Sequence, residues 1–154
     1  VLILQSFKAS FLRHLIKMIK YTEDRKFTQK QVEELFCSIG WVSGQYPSKL
    51  YRALQQSSFV LSAWDGPQLV GLIRGIDDGC MTAFLHYLLV SPDHQHQGIA
   101  SRLVEGAKQH YRNYFYINIM PEESHNATFY ERHGFSIMPD GVAMQICNPN
   151  FSEL

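Results

Sequence analysis

Gln95, His96, Gln97, Gly98, Ile99, Ala100 and Ser101 sit between an apolar run ending Leu88-Leu89-Val90 and a helical pattern that starts near Ile99. That order predicts a strand, a short loop and the first turn of a helix. Such a turn carries backbone N–H groups with no partner inside the helix, and the helix dipole adds partial positive charge. It is suited to holding a phosphate. Gly98 gives the loop torsional freedom and clears the space in front of the backbone, while Ala100 keeps a second position small. No Lys followed by Ser or Thr comes after the glycine, which excludes the phosphate loop of nucleotide hydrolases. The glycine triplet of dinucleotide-binding folds is also missing. The loop suits a pyrophosphate whose chemistry takes place elsewhere on the same molecule.

The flanking pattern supplies the frame. A short first strand is expected at 19–21. Thr28-Gln29-Lys30-Gln31 has capping-box spacing and opens a helix with Val32, Leu35, Phe36 and Ile39 as its apolar stripe, ended by Gly40. Residues 41–47 read as a loop, and Ser48 as the cap of a second helix carrying Leu50, Tyr51 and Leu54. Residues 59–64 and 69–76 read as a hairpin turning at Asp65-Gly66-Pro67. A strand at 83–90, a helix at 99–111 and a strand at 114–120 follow. A helix at 126–133 is closed by Gly134, and a last hairpin at 135–138 and 142–147 turns around Pro139-Asp140-Gly141. The order predicts an α+β layered domain with a mixed, mainly antiparallel central sheet.

A chain of 154 residues with 45% apolar and 18% charged residues is one domain with a full core, neither disordered nor membrane-spanning. Its 14 Lys and Arg balance its 14 Asp and Glu, so no net field draws it to nucleic acid or to a membrane. Cys37, Cys80 and Cys147 are far apart and form no CxxC, so they are expected to be partly buried thiols of a reduced, cytoplasmic protein. Residues 1–17 are apolar and basic, and Met18-Ile19-Lys20 looks like a natural start. We read 1–17 as an N-terminal extension without a signal-peptide cleavage site, 18–148 as the domain and 149–154 as a tail. Phe7, Phe11, Leu12 and Leu15 would share one helical face of the extension, able to pack on a second copy. His94 and His96 form a His-x-His pair, yet only Asp93 stands beside them as a further ligand, so no metal site is expected.

Gln95, Gly98 and Ala100 match the Gln/Arg-x-x-Gly-x-Gly/Ala signature of the Gcn5-related N-acetyltransferases (GNAT). Leu88-Leu89-Val90-Ser91-Pro92 stands where that family has its fourth strand. Phe129-Tyr130-Glu131-Arg132-His133-Gly134-Phe135 resembles its FYxxxGF segment. The chain resembles this family from Ile19 to Cys147. The resemblance implies the GNAT fold, with helices on both faces of a sheet in which a neighbouring strand pair splays apart. It also implies acetyl-CoA as cosubstrate, acetyl transfer straight from the thioester to a primary amine of a small molecule, and a possible homodimer. The pantetheine arm would lie along Leu88, Leu89 and Val90 as a substitute strand. The pyrophosphate would meet the amides of His96, Gln97, Gly98, Ile99, Ala100 and Ser101, with the Gln95 side chain nearby. Phe129 would lie beside the cofactor.

Transfer requires that the amine lose its proton, that the thioester carbonyl be polarised and that the departing thiolate gain a proton. Backbone N–H groups near Leu89 or Val90 would serve the carbonyl, and Tyr130 stands where the family commonly has its general acid. A carboxylate base is common in the family two or three residues before the Leu-x-Val segment. Here His86 and Tyr87 stand immediately before that segment, with no carboxylate between Asp78 and Asp93. His86, whose unperturbed pKa is near neutrality, or a water relay anchored by Tyr87 or backbone carbonyls could take the proton. The family's Asn seven residues before the tyrosine is replaced by Glu123. Asn126 could reach the cofactor arm or cap the last helix. Arg132 could meet a CoA phosphate or simply be solvated.

The acceptor is expected over residues 41–48 and the second helix, lined by Trp41, Tyr46 and Tyr51, with Arg74 and Asp77 supplying charge. The ending Gly141-Val142-Ala143-Met144-Gln145-Ile146 also resembles glucosamine-6-phosphate N-acetyltransferases, which keeps an amino-sugar phosphate as an alternative. A non-catalytic acyl-CoA sensor that kept the fold is the competing class.

Overall fold

The structure, a computed structural model, describes residues 18–152. The helical face expected at Phe7, Phe11, Leu12 and Leu15 lies outside the described residues. Five strands form one sheet in sequence order: β1 (Lys20–Thr22), β2 (Phe59–Asp65), β3 (Gln68–Asp77), β4 (Thr82–Val90) and β5 (Tyr116–Ile119). The first four pair antiparallel, and β4 pairs β5 in parallel. The β2–β3 hairpin closes with Asp65 opposite Gln68, and Gly66, at φ 57, supplies the left-handed residue that a two-residue hairpin turn requires.

Helices cover both faces. On one, α1 (Gln29–Ser38) and α2 (Pro47–Gln56) bury Val32, Leu35, Phe36, Leu50 and Leu54 against Val60, Leu72 and Leu89. The capping box that opens α1 is formed as expected: the Thr28 hydroxyl accepts from Gln31 N at 3.2 Å, and Gln31 Oε1 accepts from Thr28 N at 2.8 Å. On the other face, α3 (Ile99–His110) buries Ile99, Leu103, Val104 and Ala107 against Phe59, Ala63, Ile73 and Leu85. Each fully buried Leu contributes about 2 kcal/mol of burial free energy. This face anchors the N-terminus of α3 beside the end of β4.

Four local expectations are corrected. Tyr46 is the N-cap residue of α2 and Pro47 its first helical residue, so Ser48 lies inside the first turn rather than at the cap. Proline fits that position because its missing N–H would have had no partner there. Asn126 has helical torsions and makes no side-chain cap bond to α4 (Ala127–Glu131). The three cysteines are exposed rather than partly buried. The hairpin at 135–138 and 142–147 does not form. Val142, Met144 and Ile146 alternate as a half-buried strand would, but they are 83%, 90% and 96% exposed, with neither a partner strand nor a core beneath them. Alternation alone does not make a strand.

Candidate active site

β4 is longer than its pairing with β5. Partners run from Thr82–Tyr116 to Leu85–Ile119 and stop there, while β4 continues to Val90. Beyond Leu85, where β5 ends, the β5-facing edge of β4 has no partner strand among the described residues.

A bulge marks the same place. The β3–β4 register jumps from Leu72–Leu89 to Arg74–His86, and Tyr87 takes φ 58. A left-handed conformation costs a non-glycine residue roughly 1–2 kcal/mol. The Tyr87 side chain is well placed to offset it. Its ring meets Phe36 edge-on at 5.0 Å and lies 5.9 Å from Trp41, and its hydroxyl is 2.9 Å from Ser43 Oγ. The bulge thus ties β4 to the α1–α2 connection.

Past β4 the chain makes a single turn of 3₁₀ helix at Pro92–His94, and the loop to α3 is held from within. Gln95 Nε2 donates to Val90 O at 3.1 Å, and Gln97 Nε2 donates to Asp93 O at 3.2 Å. Buried His94 spans from Ser91 Oγ (2.8 Å from Nδ1) to Asp65 Oδ2 (2.9 Å from Nε2), so both its ring nitrogens are engaged by protein groups. His96 at φ 59 and Gly98 at φ 80 bend the chain into α3. Gly98 is the N-cap residue and makes no side-chain cap bond, and a Cβ on it would meet nothing within 4 Å. The approach to the first turn of α3 at Gly98 is therefore open space.

That space is a cavity of about 370 Å³. Leu88, Leu89, Val90, Gln95, His96, Gly98, Ile99, Ala100, Ser101, Asn126, Phe129 and Tyr130 all line it, together with His94. Gln97 and Arg132 do not: Gln97 is turned onto Asp93, and Arg132 Nε bonds Thr128 O at 3.3 Å. A larger cavity of about 1110 Å³ lies between β5 and residues 133–143. Its walls are mostly apolar and include Ala127, the first residue of the five-residue α4, whereas the smaller one joins the free edge of β4 to the first turn of the twelve-residue α3. Tyr130 borders both.

Tyr130 packs edge-on against Phe129 at 5.1 Å and Phe135 at 5.9 Å. Burial pushes its pKa up to about 12, and its hydroxyl has no hydrogen-bond partner among the described residues. It is a neutral donor with its proton uncommitted. His133, in the same segment, links α4 to α3: Nε2 is 3.1 Å from Ser101 Oγ and Nδ1 is 2.8 Å from Glu105 Oε1.

On the α1–α2 side of the sheet, Trp41 and Arg74 gather around Tyr87. The Arg74 guanidinium lies 5.5 Å from the centre of the Tyr87 ring, and its Nη1 is 3.3 Å from His86 Nδ1. Arginine only donates, so Nδ1 accepts and the imidazole proton sits on Nε2. Burial first, then the Arg74 charge, pushes the His86 pKa down to about 4. The other two acceptor-side aromatics make different ring contacts: Tyr46 packs on Phe151 at 4.8 Å, and Tyr51, on the same core cluster as Trp41 and Tyr87, meets Phe27 at 6.2 Å. Ser43, Ser57, Glu105 and His133 complete these networks and carried no sequence signal, because each reaches a partner 17 or more residues away.

Comparison with known proteins identifies the family and the fold. The acetyltransferase (GNAT) family profile matches residues 23–135. An uncharacterized N-acetyltransferase of Pyropia yezoensis is 28% identical over 131 residues, 82% of this chain and 75% of that protein. The solved GNAT-family acetyltransferase of Streptococcus pneumoniae TIGR4 is 30% identical, with a TM-score of 0.74 over 86% of this chain and 99% of that one. AAC(6′)-Iy in complex with the bisubstrate analogue CoA-S-monomethyl-acetylneamine shares the fold at 12% identity, with a TM-score of 0.65 over 85% of this chain and 99% of that one. The chain is an acetyltransferase and belongs to the GNAT family.

Proposed function

We propose that this enzyme transfers an acetyl group from acetyl-CoA directly to a primary amine of a small molecule, both bound at once. One observation carries the reading: the free edge of β4, the open amides of α3 and the unpartnered hydroxyl of Tyr130 converge on a single cavity. Acetyl-CoA supplies the acetyl group as its thioester.

The chain's own groups do the rest. Leu88, Leu89 and Val90 offer backbone donors and acceptors to an extended arm. The amides of Gly98, Ile99, Ala100 and Ser101 receive the diphosphate, and Asn126 and Phe129 close the opposite wall. As the N–C bond forms and the C–S bond breaks, Tyr130 delivers its proton to the departing sulfur. The amine's proton leaves through water held at the Tyr87 and Ser43 hydroxyls. Neutral His86 is a poor base, with Nδ1 engaged by Arg74 and a pKa of about 4. We assign it to positioning.

No helix among the described residues is long and apolar enough to cross a membrane, and free, exposed thiols fit a reducing cytoplasm. A homodimer belongs to the same proposal. The exposed Phe115, Tyr116 and Met120 about β5 would pair with the alternating Val142, Met144 and Ile146 of a second copy. Thiol release from acetyl-CoA across polyamines, arylalkylamines, amino sugars and amino acids tests the activity. Turnover on at least one class is expected, and coenzyme binding with no turnover on any would favour a sensor instead.

A further inference from the structure

Arg74 is the unusual cation of this fold. It is half-buried at the centre of the sheet, and no carboxylate among the described residues lies within 4 Å of it. Its contacts are uncharged: Nε donates to Ser57 Oγ at 2.7 Å, Nη1 to His86 Nδ1 at 3.3 Å, and the Tyr87 ring lies beneath. Nη2 has no acceptor among the described residues. Arg25 makes the contrast, since its two terminal nitrogens donate to the carbonyls of Gln55 and Ser58, at 2.7 and 3.0 Å, and stay occupied. A buried charge is normally paired, because desolvation without a counter-charge is costly. The missing partner is an anion.

The position says where that anion would come from. Arg74 and His86 are register partners and share the sheet face that carries Trp41 and Tyr87. His86 is two residues from Leu88, so the pair lies about 7 Å along the strand from where the free edge begins to line the cavity. The Nε2–H of His86 adds a second donor beside the guanidinium. We infer that the acceptor amine also carries a carboxylate, received by Arg74 and the Nε2–H of His86, which makes the substrate class an amino acid. A planar guanidinium edge matches a carboxylate. Arg74 brings a single positive charge, with Nη2 open and Nε and Nη1 already donating to Ser57 and His86, so the site balances one negative charge and not a phosphate dianion.

This rests on the acetyl-transfer reading above, and two measurements separate the failure of one from the failure of the other. In the first, thiol release from acetyl-CoA is followed with amino acids and with the matching amino-acid amides, in the wild type and in Arg74→Gln and Arg74→Lys. The acid should exceed its amide in kcat/KM by roughly 10- to 100-fold, mostly through KM. Arg74→Gln should bring that ratio towards one, and Arg74→Lys should restore part of it. In the second, the His86 ring is titrated by ¹⁵N NMR with an N-acetyl amino acid or its amide, which needs no turnover. The acid should raise the His86 pKa from about 4, because an adjacent anion favours the imidazolium, and the amide should not. A carboxylate-specific shift without transfer to any amine would sink acetyl transfer and leave the carboxylate site standing. Transfer that prefers amides, or an acid preference that survives in folded Arg74→Gln, would overturn the carboxylate site alone.

Discussion

Gln95 reaches back over five residues to donate from Nε2 to the carbonyl of Val90 at 3.1 Å. The signature glutamine thereby fixes the distance between the strand edge and the helix amides, the two surfaces on which a coenzyme would lie. Gln95→Glu keeps the size but removes the donor and adds a negative charge beside the diphosphate site. It should weaken coenzyme binding by roughly 10-fold or more, measured by calorimetry.

Gly98 separates fold from ligand. At φ 80 with open space around it, Gly98→Asn keeps a residue that tolerates the left-handed region, so stability should fall by no more than about 1 kcal/mol. The added side chain occupies the approach to the amides. Thermal melts should barely move while coenzyme affinity drops by roughly 10-fold or more. Equal loss of both would make Gly98 purely a folding residue.

Tyr130→Phe removes a half-buried hydroxyl that has no hydrogen-bond partner among the described residues. Stability should stay level or rise slightly, since an unsatisfied polar group is deleted. Turnover should fall roughly 10- to 1,000-fold with coenzyme affinity spared. Because its pKa is pushed up to about 12, Tyr130 stays protonated across the physiological range. Any basic limb of the rate profile between pH 7 and 10 should persist unchanged in shape in the variant.

His86 sets a pH window for stability. Its folded pKa of about 4 lies below the ordinary 6.5, so the unfolded chain binds the extra proton first as pH falls. The His86 contribution is fully present above pH 6.5, is lost progressively between 6.5 and about 4, and is flat below that. Denaturant midpoints followed over this range should fall with acid in the wild type, and that component should be missing in His86→Gln.

Much of this arrangement was legible in the residues. The α1 capping box follows from Thr28 and Gln31, the β2–β3 turn from Asp65-Gly66, and the open loop into α3 from Gln95, Gly98 and Ala100, because each depends on neighbours in the chain. The bulge at Tyr87 was not, since left-handed torsion at a tyrosine has no local signature and is held by Phe36, Trp41 and Ser43 from another element. Arg74 was visible as a charge, but its lack of a carboxylate is a property of the folded surroundings. The pattern at Val142, Met144 and Ile146 misled for the converse reason, since a strand needs a partner that local sequence does not report.

The most direct measurement is a titration of the ¹⁵N-labelled protein with coenzyme A, followed through its backbone amides. The largest shifts should fall on Leu88, Leu89 and Val90 and on Gly98, Ile99, Ala100 and Ser101, saturating together as one binding event. Shifts confined to residues 115–120 and 137–143, around the larger cavity, with the first turn of α3 undisturbed, would contradict the assignment of the site.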